Sequence, residues 1–299
     1  MLGGGGFAGL AYLGVLRYLQ AEGYLQGIRG IAGTSMGAFF AVAFAIGVPC
    51  SVLEDELPRH MLSEGFRKIP LRGRWSQLWT TAGLDTGDRM LEPLRGWIAR
   101  RWPEGPPRTF LDFAKQAGVD LVICATRLDT GQPVLFSVDK TPHVDVLEAV
   151  RASMALPVVI RPVAIDGVYY VDGAVCGQTI PRAAFARVAP GAVLVCYVHN
   201  RGLPPAAATP QRPPNLLRLM FQVMQAMFAI LFPVPEDFPY TIGLADPPMP
   251  LLPFQIVRNE AWLDVSDEKI TASIVYGYQQ AHHFFRALPV AAPAPEPTG

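Results

Sequence analysis

Apolar residues recur along the chain at spacings that alternate between helical and strand-like. In residues 9–22 a leucine stands at every third position from Leu10 to Leu19, which predicts an amphipathic helix that stops at Gly23. A short apolar run at Ile28–Ala32 then predicts a strand. The N-terminal region therefore begins with a helix that leads into a strand.

Helices and strands continue to alternate through the rest of the chain. The almost wholly apolar run Met36–Ile46 predicts a buried helix. Further helices are predicted at 88–101, 144–154 and 259–285, and further strands at 121–125, 134–138 and 193–198. This alternation predicts an α/β protein with three α/β/α layers around a central, mostly parallel sheet.

Composition and charge narrow the class of function. The chain has 25 Lys and Arg against 25 Asp and Glu, so its net charge of zero argues against nucleic acid as a partner. The four cysteines show no C-x-x-C spacing, and the first residues lack the pattern of a signal peptide. We therefore expect a cytoplasmic protein, and the sequence gives no reason to expect a metal or a cofactor.

Two glycine-containing motifs lie one short segment apart near the start of the chain. Residues 4–9 (GGGFAG) gather small residues whose backbone N–H groups can surround an anion. Residues 33–37 (GTSMG) match G-x-S-x-G, a sharp strand-to-helix elbow that exposes a serine hydroxyl. Together they predict Ser35 as a nucleophile beside an oxyanion hole; the alternative is a plain strand-to-helix turn with a Ser/Thr cap.

A buried strand should precede the first glycine motif, but only Met1 and Leu2 stand before Gly3. We expect either a strand of two residues or a natural chain that starts further upstream, and we favour the second.

Two Asp-Gly pairs are candidates for the catalytic base. Asp166-Gly167 lies between two strand-like runs and suits a two-residue hairpin turn. Asp172-Gly173 ends the returning strand, where catalytic side chains are often presented. Of the five histidines, only His199 stands at the end of an apolar strand, so a Ser-His-Asp arrangement with His199 stays open.

These residues resemble the patatin-like phospholipase family. The glycine motif, the serine elbow and the D-G-A box at 172–174 occur in the family's order, and residues 151–157 (RASMALP) resemble its A-S-x-A-x-P stretch. Residues 83–88 and 125–131 are also similar to family segments, so the resemblance covers residues 3–200.

The resemblance implies a serine carboxylic-ester hydrolase that acts on lipids, of phospholipase A, lysophospholipase or esterase type, without a cofactor. Ser35 would attack the ester and Asp172 would be the general base of a Ser–Asp dyad. Backbone N–H groups at 4–7 (Gly4, Gly5, Gly6, Phe7) would form the oxyanion hole, and Gly33 and Gly37 would shape the elbow. The lipid partner implies contact with a membrane or micelle surface, and peripheral membrane association of a cytoplasmic protein.

The chain departs from the family at two places. Many members carry Lys or Arg where this chain has Ala8, and many continue the D-G-A box with Asn-Asn, where this chain has Val175-Cys176. A lipid-binding or scaffold protein with weak catalysis is therefore an alternative. A nucleotide-binding module is another, since Gly4, Gly6 and Gly9 also fit G-x-G-x-x-G, but the acidic residue that should follow the second strand is missing.

The chain divides into four predicted parts. Residues 1–200 form a patatin-like catalytic domain and 201–215 a Pro/Ala-rich connector. Residues 216–288 form a helical segment that packs on or caps this domain, and 289–299 form a loose tail. Within the third part, 216–232 is apolar apart from one narrow polar stripe, which suits an interfacial helix, a lid or a helix buried in the core.

Overall fold

The computed structural model of the chain describes a central β-sheet with helices packed against it. It covers in full residues 1–63, 80–177, 184, 188–199, 238–249 and 265–288, and it covers the backbone of 68–70, 254–257 and 260–263. The predicted connector at 201–215, the apolar segment at 216–232 and the tail at 289–299 lie outside the described residues.

The strands and helices of the described residues follow one another closely in sequence. The strands are β1 Gly30–Thr34, β2 Lys68–Pro70, β3 Gly83–Asp85, β4 Asp120–Arg127, β5 Pro133–Ser137, β6 Val158–Ile160, β7 Val163–Ile165, β8 Val168–Asp172, β9 Leu194–His199, β10 Tyr240–Ala245, β11 Phe254–Val257 and β12 Glu260–Leu263. The α-helices are α1 Ala11–Ala21, α2 Met36–Ala45, α3 Cys50–Leu62, α4 Glu92–Arg101, α5 Phe110–Ala117, α6 Val146–Ser153 and α7 Asp267–Ala287. The 3-10 turns are Gly6–Leu10, Tyr24–Gly27, Asp88–Leu91, Gly173–Cys176 and Pro190–Ala192.

The ends of β1 and β8 meet on one edge of β4. β1 runs parallel to β4 and ends with Thr34 opposite Cys124. β8 runs antiparallel to β4 and ends with Asp172 opposite Ala125. β5 also pairs with Cys124 and Ala125 of β4, so it must lie on the other edge of β4. The strand ends therefore face each other, and this brings Ser35 next to Asp172.

The first three residues complete the parallel part of the sheet. Leu2 forms parallel bridges to Gly33 on one side and to Cys196 on the other. The N–H of Leu2 donates to the carbonyl of Ala32 at 2.8 Å, and the N–H of Gly3 donates to that of Cys196 at 2.8 Å. Residues 1–3 thus join β1 to the parallel pair β9–β10.

Both faces of this sheet are covered. Residues 123–126 in β4 and 195–198 in β9 are all buried, although successive side chains of a strand point to opposite faces. Strands buried on both faces belong to sheets between helical layers. The α/β/α prediction is confirmed; β5 and β8 are antiparallel to β4, and β7 is antiparallel to β8.

The C-terminal helix α7 packs closely on α1. A Cβ on Gly14 would overlap the carbonyl of Ile274, and one on Gly277 would overlap the carbonyl of Ala11. The two helix backbones can approach this closely because neither glycine has a side chain.

Strand pairing explains why two elements differ in extent from the predictions. β1 covers 30–34 rather than 28–32, because its pairing with β4 continues up to the elbow. The helix predicted at 259–285 is wrong at its start, because 260–263 is strand β12, paired with β2 and β11. Helix α7 begins after Ser266, whose side chain accepts a hydrogen bond from the N–H of Lys269.

The Asp166-Gly167 hairpin is confirmed. Both residues have positive φ, at 50° and 77°, and they join the antiparallel strands β7 and β8. This is the backbone geometry of the two-residue turn that Asp-Gly favours. The hairpin carries Asp172 back towards the elbow at the end of β8.

Candidate active site

Ser35 lies at a strained turn between β1 and α2. Its φ of 53° and ψ of −124° lie outside the regions that side-chain-bearing residues prefer. A Cβ on Gly33 would overlap the carbonyl of Gly37, and a Cβ on Gly37 would overlap the carbonyl of Leu2. Both elbow glycines are therefore required by close backbone contacts, as the G-x-S-x-G pattern predicts.

The Ser35 hydroxyl donates a hydrogen bond to Asp172. The distance from Oγ of Ser35 to Oδ2 of Asp172 is 2.8 Å, and the two residues are 137 positions apart. The other carboxylate oxygen, Oδ1, accepts the N–H of Ala174 at 2.8 Å. The site thus holds a serine and a carboxylate in the geometry that general-base activation requires.

Burial changes the acidity of this carboxyl group. It raises the pKa of Asp172 to about 7, against the hydrogen bonds from Ala174 and Ser35, which act to lower it. The nearby Cys176 raises the pKa further. A carboxyl group with a pKa near neutrality can accept a proton and release it again at physiological pH.

The glycine loop packs directly against the elbow. A Cβ on Gly9 would come within 2.8 Å of the Met36 side chain, so the loop lies beside the residue that follows Ser35. Within the described part of the chain, the N–H groups of Gly5 and Gly6 donate no hydrogen bond. Two backbone donors in the loop that borders the elbow are therefore available to an anion.

Tyr12 positions this loop. Its hydroxyl donates to the carbonyl of Gly4 at 3.0 Å and accepts the N–H of Val198 at 3.1 Å. The ring is fully buried, and burial raises the pKa of the phenol well above 10. Tyr12 therefore connects the glycine loop to β9 and stays a neutral donor.

His199 lies at the end of β9, where its ring stacks on Tyr197 with 5.4 Å between centroids. Among the described residues, the hydrogen bonds of the Ser35 hydroxyl and of the Asp172 carboxylate go to each other and to the N–H of Ala174. The geometry thus brings Ser35 and Asp172 together and does not add His199 to them.

The chain matches the patatin-like phospholipase family over residues 1–185, which include both motifs, Ser35 and Asp172. The chain belongs to the patatin-like phospholipase family. The resemblance seen in the motifs is therefore confirmed.

Two curated relatives are similar to this chain in sequence. The chain is 30% identical over 230 residues to an uncharacterized NTE family protein of Mycobacterium tuberculosis, covering 77% of this chain and 57% of that protein. It is 29% identical over 183 residues to an uncharacterized protein of Acanthamoeba polyphaga mimivirus, covering 60% of this chain and 57% of the relative. The chain thus spans little more than half the length of these relatives.

The solved structure of VipD from Legionella pneumophila is similar in fold. The TM-score is 0.55 at 14% identity, and the match covers 95% of this chain and 66% of that one. At this identity the likeness concerns the fold alone.

Ser153 is a site residue that the motifs did not single out, although it lies in the A-S-x-A-x-P stretch. Its hydroxyl accepts the N–H of Ser35 at 2.8 Å and donates to the carbonyl of Cys124 at 2.5 Å. Two residues later, the carbonyl of Ala155 accepts the N–H of Asp172 at 2.9 Å. The end of α6 therefore holds the backbones of both Ser35 and Asp172.

Ser153→Ala is expected to lower both stability and kcat. It leaves the N–H of Ser35 and the carbonyl of Cys124 buried without a partner, at a cost of about 2 kcal/mol in the free energy of unfolding. Loss of the support for the elbow should lower kcat for ester hydrolysis by about tenfold. Denaturant unfolding and steady-state kinetics measure the two effects.

Ser273→Ala is the matched control. Ser273 is also fully buried, and its hydroxyl accepts the N–H of Met249 at 3.1 Å and donates to the carbonyl of Lys269 at 2.8 Å. This variant should lose similar stability and keep its kcat. A folded Ser153→Ala protein with the kcat of the wild type would show that Ser153 does not position the nucleophile.

Proposed function

We propose that this protein hydrolyses carboxylic esters of lipids through an acyl-enzyme on Ser35. The observation that carries the proposal is the 2.8 Å hydrogen bond from the Ser35 hydroxyl to Asp172 at a strained elbow. Membership of the patatin-like phospholipase family supports the same chemistry.

In the first half of the reaction, Asp172 accepts the hydroxyl proton as Ser35 Oγ attacks the ester carbonyl carbon. Negative charge then develops on the carbonyl oxygen, and backbone N–H groups at Gly4, Gly5, Gly6 and Phe7 stabilise it. The N–H groups of Gly5 and Gly6, which donate to no other described residue, and the N-terminal end of α2 support this role. The proton on Asp172 passes to the leaving alcohol as the ester C–O bond breaks.

In the second half, a water molecule replaces the alcohol. Asp172 takes a proton from this water, and the resulting hydroxide attacks the acyl carbon bound to Ser35. Collapse of the second tetrahedral intermediate releases the fatty acid, and the proton on Asp172 returns to Ser35 Oγ. The same carboxylate thus acts as base and acid in turn, which suits a pKa of about 7.

The substrate is a phospholipid, a lysophospholipid or a neutral lipid ester in a membrane or micelle surface. The protein itself is cytoplasmic and binds this surface from outside the bilayer. The family assignment supports a lipid ester. No helix among the described residues is both long and apolar enough to cross a bilayer. The mechanism proposed for Ser35 and Asp172 uses no metal or cofactor.

Hydrolysis by the purified chain tests this function. Release of p-nitrophenol from esters of increasing acyl length measures esterase activity, and release of fatty acid from phospholipid vesicles, lysophospholipid micelles and triacylglycerol emulsions identifies the lipid class. We expect turnover of at least one lipid substrate. Binding to vesicles without any ester turnover would favour the lipid-binding alternative and contradict the proposal.

The rate of ester hydrolysis should fall as the pH drops through about 7. Below this value Asp172 is protonated and cannot accept the serine proton, so kcat/KM should decrease by about tenfold per pH unit. Cys176→Ser should move this acid limb to lower pH, because Cys176 raises the pKa of Asp172.

His199→Ala separates this explanation from titration of a histidine. The acid limb should persist in this variant, because Asp172 is the group that titrates. Disappearance of the limb in His199→Ala would assign it to His199 and overturn the role of Asp172.

A further inference from the structure

The carbonyl groups of Gly4 and Gly5 are both held by hydrogen bonds. The hydroxyl of Tyr12 donates to the carbonyl of Gly4 at 3.0 Å, and the N–H of Gly9 donates to the carbonyl of Gly5 at 3.2 Å. Each carbonyl belongs to a peptide group that also carries the N–H of the next residue. The two hydrogen bonds therefore hold the peptide groups that carry the N–H of Gly5 and the N–H of Gly6.

The planarity of a peptide group links the direction of its carbonyl to that of its N–H. Both peptide bonds are trans, and in a planar trans peptide the C=O and the N–H point in opposite directions. Since the carbonyl of Gly4 points to the Tyr12 hydroxyl, the N–H of Gly5 points away from Tyr12. This N–H donates to no other described residue, so it is available to a ligand on that side.

The local sequence does not by itself fix the orientation of the Gly4–Gly5 peptide group. It lies between two glycines, which have no Cβ to restrict rotation about the bonds on either side. Glycine populates positive and negative φ about equally, so this peptide group could adopt several orientations if its carbonyl had no partner. The hydrogen bond from Tyr12 selects one of them.

Tyr12 is itself held in a fixed position. Its ring is fully buried. Residues 1–3 pair with β9 through Cys196, and Val198 is the next residue on the same edge of β9. The N–H of Val198 donates to the Tyr12 hydroxyl at 3.1 Å. Because that N–H can only donate, the single hydroxyl proton of Tyr12 is left for the carbonyl of Gly4.

Both ends of the glycine loop lie against the elbow. A Cβ on Gly37 would come within 2.5 Å of the carbonyl of Gly3, and one on Gly9 within 2.8 Å of the Met36 side chain. The two residues that follow Ser35 therefore contact the start and the end of the loop. The loop that carries the Gly5 N–H is thus fixed beside the nucleophile at both ends.

We propose that Tyr12 is a positioning residue of the oxyanion hole, whose hydroxyl holds the carbonyl of Gly4 so that the N–H of Gly5 is aimed at the carbonyl oxygen of the bound ester. The inference rests on the proposed function, because it gives this N–H a role in ester hydrolysis. Tyr12 acts through the backbone and not by contact with the ester. A donor aimed in advance stabilises the oxyanion without reorganisation, and loss of one such donor lowers kcat by about 10²–10³-fold.

Tyr12→Phe tests this role in the full chain. The variant keeps the ring and removes the hydroxyl, so the Gly4–Gly5 peptide group can turn. We expect kcat for a p-nitrophenyl ester to fall by about 10- to 100-fold, which is less than the effect of losing the donor itself, because part of the population keeps the productive orientation. KM should change by less than about twofold, because the donor binds the oxyanion more strongly than the uncharged ester. The acid limb near pH 7 should stay in place, because Asp172 is unchanged.

A trifluoromethyl ketone with a fatty acyl chain gives a second readout. Ser35 Oγ adds to the ketone carbon, Asp172 takes up the serine proton, and the adduct carries a negative oxygen where the ester oxyanion would form. The adduct therefore resembles the transition state. The inhibition constant of the ketone should rise in Tyr12→Phe by about the same factor by which kcat/KM falls.

Tyr276→Phe is the matched control. The Tyr276 hydroxyl also donates to a backbone carbonyl, that of Ala245 at the end of β10, at 2.6 Å. Both variants lose a hydrogen bond to the backbone and should unfold at a lower urea concentration than the wild type. Tyr276→Phe should nevertheless keep the kcat and the inhibition constant of the wild type.

Three kinetic results would overturn the proposal. These are a folded Tyr12→Phe protein with the kcat of the wild type, an equal loss of kcat in Tyr276→Phe, and a loss of kcat in Tyr12→Phe without weaker inhibition by the ketone. If Tyr12→Phe does not fold, a crystal structure of the wild type with the ketone decides. A Gly5 N–H within hydrogen-bonding distance of the ketone oxygen would support the proposal, and one that points elsewhere would overturn it.

Failure of the proposed function gives a different result. The wild type would then neither hydrolyse esters nor bind the ketone, whereas failure of the role of Tyr12 leaves the wild type active. In that case a crystal structure of the wild type alone still tests the orientation. A Gly5 N–H that faces away from Ser35 Oγ would overturn the role of Tyr12 as well.

Discussion

Ser35→Ala is expected to abolish ester hydrolysis, with kcat lower by about 10⁴-fold or more. The variant lacks the oxygen that attacks the ester, and no acyl-enzyme can form at this position. Labelling by a fluorophosphonate probe, which reacts with activated serines, should disappear together with hydrolysis. Labelling that persists in Ser35→Ala would place the nucleophile elsewhere.

Two further variants distinguish the effect of losing the Ser35 hydroxyl from the effect of backbone strain at residue 35. Ser35→Gly also lacks the hydroxyl, but glycine adopts positive φ without strain, so it should be more stable than Ser35→Ala by about 1 kcal/mol. Ser137→Ala removes the hydroxyl of another buried serine and should keep full activity. Equal stability of Ser35→Gly and Ser35→Ala would show that the φ of 53° carries no strain.

Asp172→Asn is expected to lower kcat by about 10²–10⁴-fold, the usual contribution of a general base. The amide can occupy the same space beside Ser35, but it cannot accept the serine proton. Steady-state kinetics on a p-nitrophenyl ester measures this loss. His199→Ala is the control, and it should keep the activity of the wild type.

Stability should change in the opposite direction to activity in Asp172→Asn. Burial raises the pKa of Asp172 from 3.8 to about 7 in the folded protein. At pH values between these two, the carboxyl group keeps its proton in the folded chain and has lost it in the unfolded chain. The wild type therefore loses stability as pH rises through this window, and the neutral variant does not. Above pH 7 the variant should gain up to about 4 kcal/mol relative to the wild type.

If the stability difference between the two proteins stayed constant from pH 4 to pH 8, the pKa of Asp172 would not be raised. An acid limb near pH 7 in ester hydrolysis would then require another cause.

Local patterns in the sequence were sufficient to predict that Ser35 and Asp172 belong to one candidate site. Ser35 follows from the G-x-S-x-G spacing, and the hairpin turn follows from Asp166-Gly167, because each pattern reports the backbone of its own few residues. Asp172 could be chosen over Asp166 because it ends a strand instead of forming a hairpin turn. The separation of 137 residues between Ser35 and Asp172 did not prevent the prediction, since the motifs occur together in the order of the patatin-like phospholipase family.

The contacts that hold the site together could not be predicted in the same way. The bond from Ser35 to Ser153 joins residues 118 positions apart, and the bond from Thr126 to the carbonyl of Asp172 depends on which edge of β4 carries β8. Likewise, the pairing of Leu2 with both Gly33 and Cys196 depends on the position that β1 and β9 leave between them. Only the sheet topology determines such contacts, and no local pattern encodes it.

The most direct test of the proposed dyad identifies the residue that carries a covalent adduct. It also measures how the rate of adduct formation depends on Asp172 and on His199. Peptide mass spectrometry after fluorophosphonate treatment should find one adduct, on Ser35. Its rate of formation should fall about 10²-fold or more in Asp172→Asn and stay unchanged in His199→Ala. An adduct on another residue, or a rate that depends on His199 and not on Asp172, would contradict the Ser35–Asp172 dyad.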